Sequence, residues 1–324
     1  MSALSPAEVA QYEREGYVIP SFRLPAERVD GLRATLDRLL AENPDVRPEK
    51  LVSAHIAGKN DEGVTGSSDF LDLAHDPDIL DLVAGVLGDD IILWGCHVFC
   101  KPGGTGLETP FHQDGHYWPI RPLATCTVWI ALDRSDRENG CLQVIPGSHR
   151  PQELMAHAHE DRDDLVLTQR ADSAAFDIGS AVALELEPGQ MSLHDVYMLH
   201  GADANRSPRR RAGVALRYMP ATSVFERDLR PADGKSGIPV SFATRPLWLV
   251  RGTDQTGRND FAVRLNLDPE GHLAARTNRR DGDAVTVKGG IQAPIRVVAC
   301  HREIVVSTDG SGPVSKDHDV RLLC

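Results

Sequence analysis

The 324-residue sequence is poor in aromatic side chains, at 5%, and in positive charge, with 35 Lys and Arg against 47 Asp and Glu. A formal charge of −12 argues against nucleic acid as a partner, because phosphate contacts demand a basic surface. Long apolar runs are missing too. No stretch approaches the roughly 20 continuous apolar residues of a membrane span, so no membrane association is expected. The N-terminus lacks a basic segment followed by an apolar run, and the chain reads as cytoplasmic. The cysteines, Cys96, Cys100, Cys126, Cys141, Cys300 and Cys324, contain no C-x-x-C pair, which disfavours structural zinc and dithiol chemistry and points to free thiols. Neither of the glycine-rich phosphate-binding motifs follows a strand, which counts against nucleotide-binding readings. Repeats, low-complexity tracts and long linkers are absent before about residue 265. The expected organisation is therefore one catalytic unit over 1–265 and an extension over 266–324.

What is present begins with helices. Ser5, Pro6 and Glu8 make a helix start with a capping box, and Tyr17 to Ile19 follow as a short strand. From Pro25, the residues Val29, Leu32, Leu36, Leu39 and Leu40 form one apolar stripe that Asn43-Pro44 ends, and a third helix is expected over Pro77 to Leu87. From residue 91 the texture changes to short β-branched and aromatic runs. These are Ile91 to Cys100, Thr125 to Leu132, Cys141 to Ile145, Val182 to Leu186, Met191 to Val196 and Val214 to Tyr218. Pro-Gly and Asn-Gly pairs punctuate them, which predicts a mainly β antiparallel sandwich or barrel with flanking helices.

His112-Gln113-Asp114 sets two metal-competent side chains two residues apart, and on an extended strand both point to one face. A distal histidine would complete a two-histidine, one-carboxylate triad that leaves coordination positions open, the arrangement of iron(II) oxygenases. His200 and His194 both qualify by spacing. Asp195, beside His194, fits either an acceptor that orients a ligand or a strand-edge salt bridge. After His200 the chain runs into Arg209, Arg210 and Arg211, of which one can point inward.

Phe111-His112-Gln113-Asp114-Gly115-His116-Tyr117, the segment Glu138 to His149, and His200-Gly201 with Asn205 and Arg211 resemble the phytanoyl-CoA dioxygenase family of 2-oxoglutarate-dependent hydroxylases, over roughly residues 5 to 262. The resemblance implies a double-stranded β-helix (jelly-roll, cupin-like) core. It implies Fe(II) held by His112, Asp114 and His200, and 2-oxoglutarate and O2 as co-substrates. Arg211, eleven residues beyond His200, would bind the distal carboxylate, a task suited to a planar guanidinium. Trp129 matches a tryptophan near the co-substrate, and His97 a position that contacts it. Asp114 favours hydroxylation over halogenation, because halogenating relatives carry a small residue there. Ala202 departs from the serine often found two residues after the distal histidine.

Substrate-side candidates are His116, Tyr117, Trp118 and Arg217. The partner expected is a small molecule. The acidic chain disfavours an acyl-CoA thioester, whose phosphates call for a basic patch. Glu138 to His149 reads as structural, with Asn139-Gly140 as a tight turn. Leu267 to Asp283 reads as a loop, and Ala284 to Val287 and Ile295 to Val306 as strands or a small hairpin. His301 is expected to be structural. A non-catalytic binding protein on the same fold, and a cupin-like enzyme indifferent to 2-oxoglutarate, are the competing readings.

Overall fold

The computed structural model describes residues 3–60 and 62–225, and beyond them the backbone of the strands Leu247–Arg251, Val263–Leu267, His272–Thr277, Ala284–Gly290, Arg296–Cys300, Glu303–Ser307 and Val320–Leu323. His301 and Cys324 lie outside the described residues. The chain divides into two compact units. The first comprises Met1–Leu73, Cys96–His116 and Cys126–Arg217, and the second Ala74–Gly95, Tyr117–Thr125 and Tyr218–Cys324.

Helix α1, Pro6–Glu15, begins with the expected capping box. Ser5 Oγ accepts from the Glu8 amide at 3.3 Å, and Glu8 Oε2 accepts from the Ser5 amide at 2.7 Å. Helix α2, Ala26–Glu42, buries Val29, Leu32, Thr35, Leu36 and Leu39, while Leu40 at the border of the stripe is only half-buried. Asn43 stops it by donating from its side-chain amide to Leu39 O at 2.8 Å.

Eight strands build the core: β1 Ile91–Lys101, β2 Thr109–His112, β3 Cys126–Ala131, β4 Leu142–Val144, β5 Val182–Leu184, β6 Met191–Asp195, β7 His200–Ala202 and β8 Arg211–Pro220. One sheet runs β6-β3-β8-β1, with Tyr17–Val18 added outside β6, and the other runs β5-β4-β7-β2. Each strand of the first half therefore neighbours its mirror in the second half: β1 with β8, β2 with β7, β3 with β6, β4 with β5. That nesting is a double-stranded β-helix, or jelly roll. Tyr17, Leu142, Val144, Leu184 and Met198 form a buried apolar cluster that joins the two sheets.

The sequence pattern marks only the His112 end of Thr109–His112 as extended and assigns no strand to His200–Ala202. Four and three residues long, and carrying Pro110 and Gly201, they have little strand propensity of their own and exist because β2 and β7 pair with each other. β8 begins at Arg211, three residues before the expected start at Val214.

In the second unit the helix Pro77–Leu87 matches expectation and starts from an Asp76 cap. Within the stretch expected to be a loop, His272–Thr277 is a strand antiparallel to Val263–Leu267. Its Ala- and Arg-rich composition carries no strand signal, and the neighbouring ladder supplies what propensity does not. Ala284–Gly290 is a strand, and Arg296–Cys300 pairs antiparallel with Glu303–Ser307 as a hairpin. Among the described residues no helix is long and apolar enough to cross a membrane. Cys96, Cys100, Cys126 and Cys141 are buried and outside any disulfide.

Candidate active site

Alternation decides what lines the space between the two sheets. Trp129 on β3 pairs with Ser192 on β6, and Thr127 pairs with His194, so these four side chains share a face. Tyr17 pairs with His194 and packs on Leu142 and Val144 of the other sheet, which identifies this face as the inner one. On β8 the inner positions are Arg211, Gly213, Ala215 and Arg217. On β1 they are His97, Phe99 and Lys101. The indole of Trp129 lies over Gly213, where a Cβ would stand 2.2 Å from the ring, so this strand position admits no side chain.

His112 and His200 are directly opposed in the β2–β7 ladder, with ring centroids 4.2 Å apart. Each imidazole donates from Nδ1 to the carbonyl two residues earlier, His112 to Pro110 at 2.8 Å and His200 to Met198 at 2.9 Å. Nε2 is thereby left as the lone-pair donor of both rings. Asp114 reaches the same point differently from the expected extended strand. β2 ends at His112, and Asp114 opens a 3-10 turn, Asp114–Tyr117, that folds its carboxylate back to 3.6 Å from His112 Nε2. Gln113, pointing the other way, holds this turn: its amide donates to Glu153 O at 3.0 Å and Tyr197 O at 2.8 Å, and accepts from the Met155 amide at 2.7 Å.

The ligand atoms of His112, Asp114 and His200 all lie within 4.8 Å of one another, and all three residues are buried. Burial would raise the Asp114 carboxyl, yet Arg217 and the two histidines hold it well below the usual carboxylate range. Burial, His112 and His194 together push His200 well below the ordinary imidazole value. Thr127 Oγ1 donates to Asp114 Oδ2 at 3.2 Å, and Arg217 Nε stands 3.6 Å from the same oxygen. Two nitrogens and an ionised carboxylate, fixed from behind by hydrogen bonds, fit a divalent ion with positions left open. His194 is buried 4.7 Å from the His200 ring, between centroids, and stands outside this trio. Burial holds its pKa down at about 4.

The three consecutive arginines separate cleanly. Arg209 pairs with Asp136 and Glu138, each at 2.9 Å, and Arg210 with Asp133 at 2.8 Å and Asp37 at 2.6 Å. Arg211 is turned inward and buried; its guanidinium carbon is 5.2 Å from the Trp129 ring centroid, and its Nε has no hydrogen-bond partner. Among the described residues no carboxylate lies at ion-pair distance from it, and burial pushes its pKa down to about 10. Asn205 shapes the approach to β8, donating to Arg209 O at 2.7 Å and Lys101 O at 3.3 Å. Lys101 is also buried on the inner face, spending its ammonium on the carbonyls of Ala202 and Asp203. Burial and the neighbouring Arg211 hold its pKa well below the usual lysine value.

Other candidates take various places. His97 donates from Nε2 to Glu49 O at 3.0 Å and stacks on Phe99 at 3.8 Å. Arg217 sits against Asp114 and over Phe99, at 5.8 Å from the ring centroid. His116 hydrogen-bonds Gln169 and stacks on His157 at 4.0 Å. In the second unit Trp118 is buried edge-on to Trp94, with centroids 6.4 Å apart, and Tyr117 is half-buried. Asp195 fills neither expected role: on the outer face, it accepts from the Tyr197 amide at 2.8 Å and shapes the turn leading to His200. Asn139 and Gly140 form the expected tight turn, capped by Asp136, with Gly140 at φ 76°. Lys101, Thr127 and Ser192 escape sequence reading, although strand alternation through His97 and Trp129 would have flagged Lys101 and Thr127.

The family model "Phytanoyl-CoA dioxygenase (PhyH)" matches residues 12–213. The chain belongs to the phytanoyl-CoA dioxygenase family. It is thus one of the iron- and 2-oxoglutarate-dependent oxygenases. It is 29% identical to the peroxisomal phytanoyl-CoA dioxygenase of Bos taurus over 59% of this chain and 56% of that protein. It is 27% identical to the ectoine dioxygenase of Bordetella bronchiseptica over 75% of this chain and 83% of that one. Among solved structures it resembles the epimerase SnoN in complex with Fe3+, alpha ketoglutarate and nogalamycin RO, with 25% identity, 72% of this chain and 88% of that chain covered, and a TM-score of 0.56.

Proposed function

We propose that the protein hydroxylates an unactivated C–H bond of a small molecule, consuming O2 and 2-oxoglutarate and releasing succinate and CO2. His112, Asp114 and His200 hold Fe(II), and Arg211 receives the distal carboxylate of 2-oxoglutarate. The observation that carries this reading is the buried, unpaired guanidinium of Arg211 on the inner face, beside two arginines that are each matched to acids. A fixed cation left unpaired in a water-poor interior is a site for an anion with planar, paired acceptors.

When bound, iron with 2-oxoglutarate and O2 supplies the oxidising equivalent that breaks the C–H bond. The chain's own work is positional. Pro110 O and Met198 O fix the two imidazoles, Thr127 and Arg217 fix the Asp114 carboxylate, and Trp129 walls the track toward Arg211. A carboxylate at position 114 occupies the place a halide would need, which supports hydroxylation over halogenation. The similarity to an epimerase supports a second reading of the same site, oxidative rearrangement or desaturation, decided by how substrate is presented. The acidic chain supports a substrate without nucleotide phosphates.

The test is succinate formation with iron(II), ascorbate and 2-oxoglutarate, with and without a panel of small-molecule substrates, followed by mass analysis for a gain of one oxygen. His200→Ala should abolish succinate formation and lower metal affinity by more than the roughly 10–100-fold that changes behind a ligand cost. No succinate from the native chain under any condition would favour the non-catalytic reading. Turnover indifferent to 2-oxoglutarate would favour the cupin-like one.

A further inference from the structure

His194 has no partner where chemistry requires one. Its side chain is 2% exposed, and neither Nδ1 nor Nε2 makes a hydrogen bond. A neutral imidazole carries one donor and one acceptor, and burying both unmet destabilises the fold in a way that leucine or phenylalanine there would not. The neighbours are already committed. Thr127, its partner across the ladder, gives its hydroxyl to Asp114; His200 gives Nδ1 to Met198 O; Arg217 faces Asp114. His194 is not in the trio whose ligand atoms lie within 4.8 Å of one another, so the metal does not account for it either.

Position then identifies the occupant. Along β6, the inner residue after His194 is Ser192, also buried without a partner, and it pairs with Trp129, beside which Arg211 waits. The inner face thus carries unmet polar atoms from the His200 end to the Arg211 end, as a dicarboxylate lying between them would require. Arg211, buried with no carboxylate at ion-pair distance, makes that end of the wall cationic, which favours an anion over a neutral substrate group. Resting on the function proposed above, we propose that His194 is a co-substrate-binding residue: its imidazole donates a hydrogen bond to the carboxylate of 2-oxoglutarate that sits at the metal.

The experiment uses the full chain as native protein, His194→Phe and His194→Gln, with Mn(II) affinity and the 2-oxoglutarate Kd of the Mn(II)-loaded protein measured separately by calorimetry, without substrate. Phe should raise the 2-oxoglutarate Kd by about tenfold or more, the value of one hydrogen bond to a charged group, while Mn(II) affinity changes by less than about twofold. Gln, which can still donate, should recover most of the loss. If the Phe variant does not fold, His194→Leu takes its place in the comparison with Gln. An unchanged 2-oxoglutarate Kd overturns the assignment, as does a Gln variant no better than the apolar one, which would reveal packing alone. A parallel loss of Mn(II) affinity overturns it in favour of direct ligation. Failure of the native protein to bind 2-oxoglutarate overturns the proposed function itself, whereas native binding that the variants reproduce unchanged removes only the role of His194.

Discussion

The two faces of the sheet β6-β3-β8-β1 are built by the same strands and have opposite chemistry. Outward from the sandwich, β3 presents Cys126, Val128 and Ile130, β6 presents Met191 and Leu193, β8 presents Ala212, Val214 and Leu216, and β1 presents Cys96, Val98 and Cys100, all buried and all apolar. Inward, at the alternate positions, stand His97, Lys101, Thr127, Ser192, His194, Arg211 and Arg217. Several of these have polar atoms with no partner, among them Ser192 Oγ, Arg211 Nε and both His194 nitrogens. In an ordinary sandwich the space between the sheets is the dry core. Here stability is drawn from the outer face and the sheet-joining cluster around Tyr17 and Val144, which lets the inner face hold polar groups that a folded domain with no ligand would not retain.

Substitutions on the two faces should therefore separate binding from stability. The largest effect is expected at Arg211→Met. Removing one partner of a buried charge pair costs about 2–5 kcal/mol, so the 2-oxoglutarate Kd should rise by on the order of a hundredfold. The thermal midpoint of the ligand-free chain should hold or increase, because the guanidinium is desolvated without an ion-pair partner. Leu193→Ala, on the outer face of the neighbouring strand, should do the reverse. Denaturant titration should show a loss of about 2–5 kcal/mol, the cost of a buried leucine, with the 2-oxoglutarate Kd little changed. If both variants moved both quantities together, the division of labour between the faces would be wrong.

The buried imidazoles give a gentler handle. Burial lowers His194 and His157 to about 4, from an ordinary value of 6.5. Both remain neutral in the folded chain while the unfolded chain takes up protons, so their contribution to stability is full above pH 6.5. It declines as pH falls from 6.5 toward 4 and levels off below. Thermal midpoints of metal-free protein across this range should fall with pH, and His194→Phe should flatten the decline. An equal slope in the variant would mean His194 is not shielded from water.

Much of this is legible in the sequence. The Ser5–Glu8 cap, the leucine stripe of α2 and most strand positions follow from local pattern, and the His112, Asp114, His200 and Arg211 set follows from motif and resemblance. What escaped depends on contacts distant in sequence. Which arginine of three turns inward is decided by where β8 begins, and that is fixed by its ladder partners. Asp114 reaches His112 through a 3-10 turn that Gln113 anchors to Glu153 and Tyr197, both far along the chain. Ser192 and Thr127 are unremarkable residues in apolar runs. Thr127 follows from alternation with Trp129, but only the register of β3 against β6 puts Ser192 on the side of His112, Asp114 and His200.

Ser192→Ala is the smallest change expected and the sharpest probe of that register. A buried hydroxyl that makes a hydrogen bond costs about 1 kcal/mol or more when deleted, because its partner is left unmet as well. Ser192 Oγ has no partner, so deleting it strands nothing and removes a desolvated polar atom from beneath the sheet. Denaturant titration of the ligand-free variant should show stability unchanged or slightly raised, within about 0.5 kcal/mol. A loss of more than about 1 kcal/mol would mean the hydroxyl is paired in the free protein. The inner face would then be an ordinary satisfied core at Ser192, and the unmet polar atoms would no longer run unbroken from His194 to Arg211.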